Sequence, residues 1–116
     1  MNNTVFKKGY IYHICNMIDD MIYVGRTIDI DKRWDTHNKS VVEGTWGLYK
    51  HVRKIGIQYF YFQIICEVDD IDDGDLHKVE MMELYKIGRL RKLNRGHGDQ
   101  YLKFRDEVKL TYFDKY

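Results

Sequence analysis

The sequence predicts an α+β domain in which a small, mainly antiparallel three-stranded sheet is flanked by helices. Two short apolar runs near the N-terminus are separated by a turn-like segment, which is typical of a β-hairpin. Two stretches with apolar residues at helical spacing follow, and then one more apolar run and a third helical pattern. The resulting order β-β-α-α-β-α in 116 residues fits one domain of this class.

The first two strands are expected at residues 9–15 and 21–25, where β-branched and aromatic residues dominate. The segment between them, Asn-Met-Ile-Asp-Asp, offers a hairpin turn. Such a hairpin can place the phenols of Tyr12 and Tyr23 side by side on adjacent strands. Tyr10 is an alternative to Tyr12, because residues two apart point to the same face of a strand.

The first helix is expected over residues 29–42. Residues 27–29, with the sequence Thr-Ile-Asp, supply N-cap chemistry at its start, and Gly44 ends it. Its core-facing positions recur at helical spacing and are Ile30, Trp34, His37 and Val41.

A second, shorter helix and a third strand follow. The apolar residues that indicate the helix are Trp46 or Leu48, Val52 and Ile55. Gly56 closes this helix, because glycine is the residue that most readily terminates one. Residues 59–66 form the most apolar run in the chain, which predicts a central strand.

A third helix is expected after an acidic stretch that ends at Asp75, since acids at a helix start complement its dipole. One face of this helix would carry Leu76, Val79, Glu83, Ile87 and Leu90. Glu83 thus stands where the pattern expects an apolar residue, and a carboxylate facing a core is costly unless it is paired or holds a metal. We expect residues 1–95 to form the domain and residues 96–116 a C-terminal extension packed on it, as a strand or a helix.

Composition excludes several classes of protein. Cys15 and Cys66 lie in apolar runs, which predicts free thiols in a reducing compartment and not a disulfide framework or a zinc site. The N-terminus lacks the apolar core of a signal peptide, and no run approaches the roughly 20 apolar residues that a membrane helix needs. We therefore expect an intracellular protein that does not interact with a membrane.

The net charge of +1 conceals two segments of opposite charge. Residues 67–75 hold six acids and no base, whereas residues 78–95 hold six bases and two acids. The basic segment could contact phosphates. A solvated helix face beside an acidic loop is the alternative, and charge alone favours it.

Five sequence blocks in order resemble the GIY-YIG nuclease family over about residues 9–94. The blocks are Gly9-Tyr10-Ile11-Tyr12; Tyr23-Val24-Gly25; Gly25-Arg26-Thr27 with Arg33-Trp34 and His37; Leu48-Tyr49 to Lys54-Ile55-Gly56; and Glu83-Leu84-Tyr85-Lys86-Ile87 with Asn94. One departure is that Tyr10 stands where the family's first glycine usually falls. The resemblance implies the family's α+β fold and a DNA endonuclease activity.

The resemblance also implies roles for four residues of the first helix and the hairpin. Tyr12 would help to deprotonate the attacking water, and the spacing to Tyr23 favours Tyr12 over Tyr10 for this role. Tyr23 would hold the water or a phosphate oxygen. Arg33 would neutralise charge on the scissile phosphate. His37 could hydrogen-bond the Tyr12 phenol or a phosphate.

Three further residues complete the implied site. Glu83 would be the sole protein ligand of Mg²⁺ or Mn²⁺, Asn94 would order the site by hydrogen bonds, and Arg26 would lower a phenol pKa or contact phosphate. A buried pair between Glu83 and Arg33 is the structural alternative. The alternative function is a catalytically idle DNA-binding or protein-interaction module on the same fold. One site cuts one strand, so a double-strand break requires a homodimer, a sequential second cut or a partner protein.

Overall fold

The computed structural model describes residues 4–42, 44 and 46–87. Its elements are β1 (Val5–Asn16), β2 (Tyr23–Thr27), α1 (Ile30–Ser40), α2 (Gly47–Ile55), a single 3₁₀ turn (Ile57–Tyr59), β3 (Phe60–Asp72) and α3 (Asp73–Lys86). The predicted α+β class and the order β-β-α-α-β-α are confirmed. Leu90, Asn94 and the expected extension at residues 96–116 lie outside the described residues.

The three strands form an antiparallel sheet in the order β2-β1-β3. In the described part of the chain β1 is therefore the central strand, and the prediction of a central third strand was wrong. Apolar content was misleading because part of β3 is exposed, including Tyr61, Ile64 and Ile65. The strand also runs on to Asp72, so most of the acidic stretch is strand, with Val68 buried among its acids.

The two faces of the sheet carry separate apolar clusters. Successive residues of a strand point to opposite faces, so Ile11 and Tyr12 belong to different clusters. Ile11 and Val24 pack with α3 residues, including Leu76, Val79 and Met82. Tyr12 and Ile14 pack with Leu48, Tyr49 and Val52 of α2 on the other face. The sheet thus lies between α3 and the α1–α2 pair.

The helices that border the candidate site begin at capping aspartates. Asp29 accepts a hydrogen bond from the Lys32 backbone N–H at 3.0 Å, and Asp72 accepts one from Asp75 at 2.8 Å. These caps anchor the first turns of α1 and α3 just after β2 and β3. Gly56 ends α2 with a φ of 112°, a conformation that favours glycine. Among the described residues, no helix is long and apolar enough to cross a membrane.

Candidate active site

A cleft of about 590 Å³ opens beside β2, between α1 and α3. Its lining residues are Phe6, Tyr23, Arg26, Thr27, Ile28, Arg33, Trp46, Asp73, Glu80, Met81 and Leu84. The lining combines a phenol, two guanidinium groups and two carboxylates with an apolar portion. Of the residues expected from the sequence, Tyr23, Arg26 and Arg33 lie directly in this cleft.

Tyr12 lies behind the cleft, with 0% of its surface exposed. It pairs with Gly25 across the two hairpin strands, and its ring lies over that glycine. A Cβ atom at Gly25 would come within 2.3 Å of the Tyr12 hydroxyl oxygen and of the ring carbon that bears it. Gly25 is therefore required because any side chain there would displace the phenol of Tyr12.

The Tyr12 hydroxyl forms part of a buried chain of hydrogen bonds. Arg33 Nε donates to it at 3.1 Å, and His37 Nε2 lies 2.7 Å away. Because Arg33 can only donate and Tyr12 has no exposed surface, the phenol proton goes to His37 Nε2. His37 must then carry its own proton on Nδ1, which donates to the Tyr49 hydroxyl at 3.0 Å.

Both groups at the centre of this chain are neutral. Burial raises the pKa of Tyr12 above its ordinary value, and the hydrogen bond from Arg33 offsets only part of that effect. Burial, and then the charge of Arg33, lower the pKa of His37 to about 4. His37 is therefore a neutral imidazole at physiological pH, which suits it to accept the Tyr12 proton.

Tyr23 differs from Tyr12 in that it reaches the cleft. Burial raises its pKa, while the positive charge of Arg33 and a hydrogen bond from Arg33 act in the opposite direction. The ring centroids of the two tyrosines are 6.4 Å apart, as the hairpin prediction anticipated for neighbouring phenols. Arg33 therefore donates hydrogen bonds to both phenols, but only Tyr23 faces the cleft that a substrate could enter.

Of the two carboxylates in the cleft, Asp73 is exposed and Glu80 is buried, and the sequence analysis did not single out Glu80. Arg26 Nη1 donates to Glu80 Oε1 at 2.9 Å, and Arg26 also contacts Asp73 through Nε at 3.1 Å. Glu80 is only 9% exposed, and burial raises its pKa against the opposing charge of Arg26. Its position next to Arg26 and Tyr23 makes it the buried acid of the site.

Glu83 lies outside this cleft and pairs with His13, which the sequence analysis did not single out. Its Oε1 is 2.9 Å from His13 Nε2, and this hydrogen bond holds the pKa of Glu83 below its usual value. Burial lowers the pKa of His13, but hydrogen bonds to Cys15 and Glu83 outweigh it and raise the pKa to about 9. The half-buried Glu83 carboxylate is therefore paired with His13, and not with Arg33 as in the structural alternative.

Of the expected residues that the structure describes, five lie together and Glu83 lies apart from them. Tyr23, Arg26 and Arg33 lie in the cleft, with Tyr12 and His37 directly behind Arg33. The sequence analysis missed Glu80 because Glu80 and Glu83 both face inward from α3, the first buried and the second half-buried, and helical spacing does not distinguish them. The contact between Glu80 and Arg26 across 54 positions is what identifies it.

A divalent ion fits the chemistry of this cleft. The described residues contain no cluster of three or more His, Cys, Asp or Glu side chains that would hold an ion by themselves. Mg²⁺, however, usually takes one or two carboxylates together with waters and substrate phosphate oxygens. Glu80, buried at the wall of a cleft that also holds two guanidinium groups, is suited to be such a carboxylate.

Comparisons with known proteins find related sequences for most of the chain. A family model described as the GIY-YIG catalytic domain matches residues 8–76, which include Tyr12, Tyr23, Arg33 and His37. Protein 146R of Invertebrate iridescent virus 6, named as an MSV199 domain-containing protein, is 31% identical over 90 residues. That match covers 76% of this chain and 37% of the viral protein, so the chain spans about a third of that relative. No solved structure shows a significant match.

Proposed function

The chain belongs to the GIY-YIG family, whose members are endonucleases, and on that premise we propose that it hydrolyses phosphodiester bonds in DNA with a divalent metal ion, Mg²⁺ or Mn²⁺. The observation that carries the proposal is the cleft in which Tyr23, Arg33 and Glu80 face a common space. A phenol, a guanidinium group and a carboxylate can supply water activation, phosphate binding and metal binding, respectively.

Arg33 is the residue that we assign to the scissile phosphate. Its Nε is held by the Tyr12 hydroxyl at 3.1 Å, which orients the guanidinium fork at the wall of the cleft. The terminal N–H groups can then bind two phosphate oxygens and stabilise the negative charge that grows during attack. Tyr12 and His37 are positioning residues in this proposal, because they act through Arg33.

Tyr23 is the phenol that we assign to the attacking water, in place of the Tyr12 expected from the sequence. The reason is access, since Tyr12 has no exposed surface and Tyr23 lines the cleft. As a phenolate, Tyr23 would accept the proton of the water that attacks phosphorus in line. Burial raises its pKa, so this role depends on the positive charge of Arg33 and of a bound ion.

Glu80 is the residue that we assign to the metal ion, in place of Glu83. A bound divalent ion supplies Lewis-acid stabilisation of the leaving 3′ oxygen, which would yield 5′-phosphate and 3′-hydroxyl ends. Arg26 Nη1 donates to Glu80 at 2.9 Å and offsets its charge. If Glu80 holds the ion, Arg26 is the adjacent cation that would contact a phosphate. Asn94 remains a candidate to order the site.

A plasmid-nicking assay tests the assignment with matched variants. We expect Glu80→Gln and Arg33→Ala to lose nicking of supercoiled DNA in Mg²⁺ or Mn²⁺. Glu83→Gln is the control, because it changes a carboxylate three positions away that pairs with His13 outside the cleft. Loss of nicking in Glu83→Gln at full folding, with Glu80→Gln still active, would contradict the assignment and favour the residue expected from the sequence.

A catalytically idle DNA-binding or protein-interaction module is the second candidate. It would bind DNA without nicking it in any divalent ion, whereas the proposed enzyme nicks one strand per encounter. A double-strand break would then need a homodimer, a sequential cut or a partner protein. The order in which nicked and linear products appear distinguishes a sequential cut from a concerted one. A DNA substrate also implies an intracellular place of action.

A further inference from the structure

Part of the cleft wall is apolar, which binding of a sugar–phosphate backbone alone does not require. The apolar lining residues are Phe6, Ile28, Trp46, Met81 and Leu84. Two of them are well exposed, Ile28 at 48% and Trp46 at 43%. A tryptophan held open beside two guanidinium groups offers a flat surface of the kind on which nucleobases stack.

Trp46 is fixed in place by the residues of the proposed active site. Its ring stacks on Tyr49, with centroids 5.5 Å apart and planes inclined by 18°. A second, more distant stacked contact is with Tyr23, at 6.4 Å and 29°. The guanidinium carbon of Arg33 is 6.0 Å from the Trp46 ring centroid. Trp46 thus adjoins the residue assigned to the phosphate, while part of its surface stays open to the cleft.

This arrangement resembles the layout of a single nucleotide, in which a phosphate and a base are separated by one sugar. With the phosphate on Arg33, the base of an adjoining nucleotide comes within reach of Trp46 and the apolar wall. A base inside a continuous duplex cannot use such a surface, because its two faces are covered by neighbouring bases. The base that enters the cleft must therefore lie outside the duplex stack, as an unpaired base can.

We propose that Trp46 is a stacking platform for an unpaired base next to the scissile phosphate. The preferred DNA would then carry an unpaired nucleotide at the cut, as in a single strand, a flap or a bulge, in preference to continuous duplex. This inference rests on the proposed function, which it narrows from DNA in general to one structural class of DNA. Any base can stack on an aromatic ring, so the expected preference is for the secondary structure of the DNA and not for its base sequence.

Tryptophan fluorescence tests the contact directly, because the chain has only two tryptophans. Trp46 is exposed, whereas Trp34 is partly buried. Trp34 packs 5.0 Å from Phe62 and does not line the cleft. In a Trp34→Phe variant, a short oligothymidylate added in EDTA should quench the remaining emission to saturation. In Trp46→Phe the same titration should leave the emission unchanged. Unchanged Trp46 emission while fluorescence anisotropy reports DNA binding would overturn the proposal.

A substitution series tests the preference itself. We expect Trp46→Ala and Trp46→Leu to weaken binding of a flap substrate relative to duplex by about 5- to 150-fold, the factor for about 1–3 kcal/mol per stacked base. Trp46→Phe keeps an aromatic face and should retain most of the preference. An unchanged ratio of flap to duplex binding in all three variants would show that Trp46 only covers its tyrosine neighbours.

The two proposals fail separately in these assays. If Trp46 emission is quenched by oligothymidylate and no DNA is cut in any divalent ion, the proposed function fails and base stacking stands. If wild type and Trp46→Ala cut duplex and flap equally well, the nuclease function stands and the platform is refuted.

Discussion

Removal of the Tyr12 hydroxyl is the perturbation that most clearly separates positioning from chemistry. Tyr12→Phe keeps the ring but deletes the group that links Arg33 Nε to His37 Nε2. In this variant the half-buried Arg33 can replace its lost hydrogen bond with one to water. His37 is 2% exposed and cannot do so. The loss is therefore dominated by a buried imidazole nitrogen without a partner.

Such an unsatisfied group costs about 1–3 kcal/mol of the free energy of unfolding. With a typical urea dependence, the unfolding midpoint should fall by roughly 1 M. Tyr23→Phe is the matched control, since it deletes a hydroxyl at the cleft and should cost little stability. The order of the two variants should be reversed for the nicking rate. The rate should fall only partly in Tyr12→Phe and should be lost in Tyr23→Phe.

Urea unfolding followed by tryptophan fluorescence, with nicking rates corrected for the folded fraction, measures both effects. The reasoning is refuted if Tyr12→Phe is as stable as wild type and inactive while Tyr23→Phe remains active. That outcome would return Tyr12 to the role of water activator expected from the sequence.

Two further predictions concern pairs of residues that do not line the cleft. In the folded protein the pKa of His13 is raised to about 9, above the ordinary histidine value of 6.5. The protonated His13 therefore stabilises the fold fully below about pH 6.5, and this stabilisation is lost as the pH rises through about 9. In Glu83→Gln the unfolding midpoint should not show this fall with pH. Gly25→Ala should destabilise by about 1–3 kcal/mol by overpacking against Tyr12. Gly74→Ala is its control, since the added Cβ meets nothing closer than 3.4 Å; equal midpoints for the two glycine variants would contradict the close approach.

Much of the fold follows from local patterns in the sequence. The hairpin and three helices were predictable because alternation, helical spacing, a capping aspartate at residue 29 and a closing glycine at residue 56 act over a few neighbours. The position of β3 in the sheet was not predictable in this way. Strand order depends on which long-range pairings form, and the exposed Ile64 and Ile65 show that an apolar run need not be buried.

The candidate site was predictable where spacing alone places residues together. Tyr12 and Tyr23 lie on paired strands, and Arg33 and His37 are one helical turn apart, so their meeting follows from local geometry. Which phenol is open to the cleft depends on packing between elements, and so does the choice between Glu80 and Glu83. Each glutamate has a distant basic partner, Arg26 or His13, and that pairing exists only in the folded chain.

The central claim is that Glu80, Tyr23 and Arg33 form one metal-dependent site. A crystal soaked with Mn²⁺, recorded at the manganese absorption edge, tests it directly. We expect an anomalous peak at the Glu80 carboxylate, inside the cleft that Tyr23 and Arg33 line. A peak at Glu83 beside His13, with none in the cleft, would contradict the account.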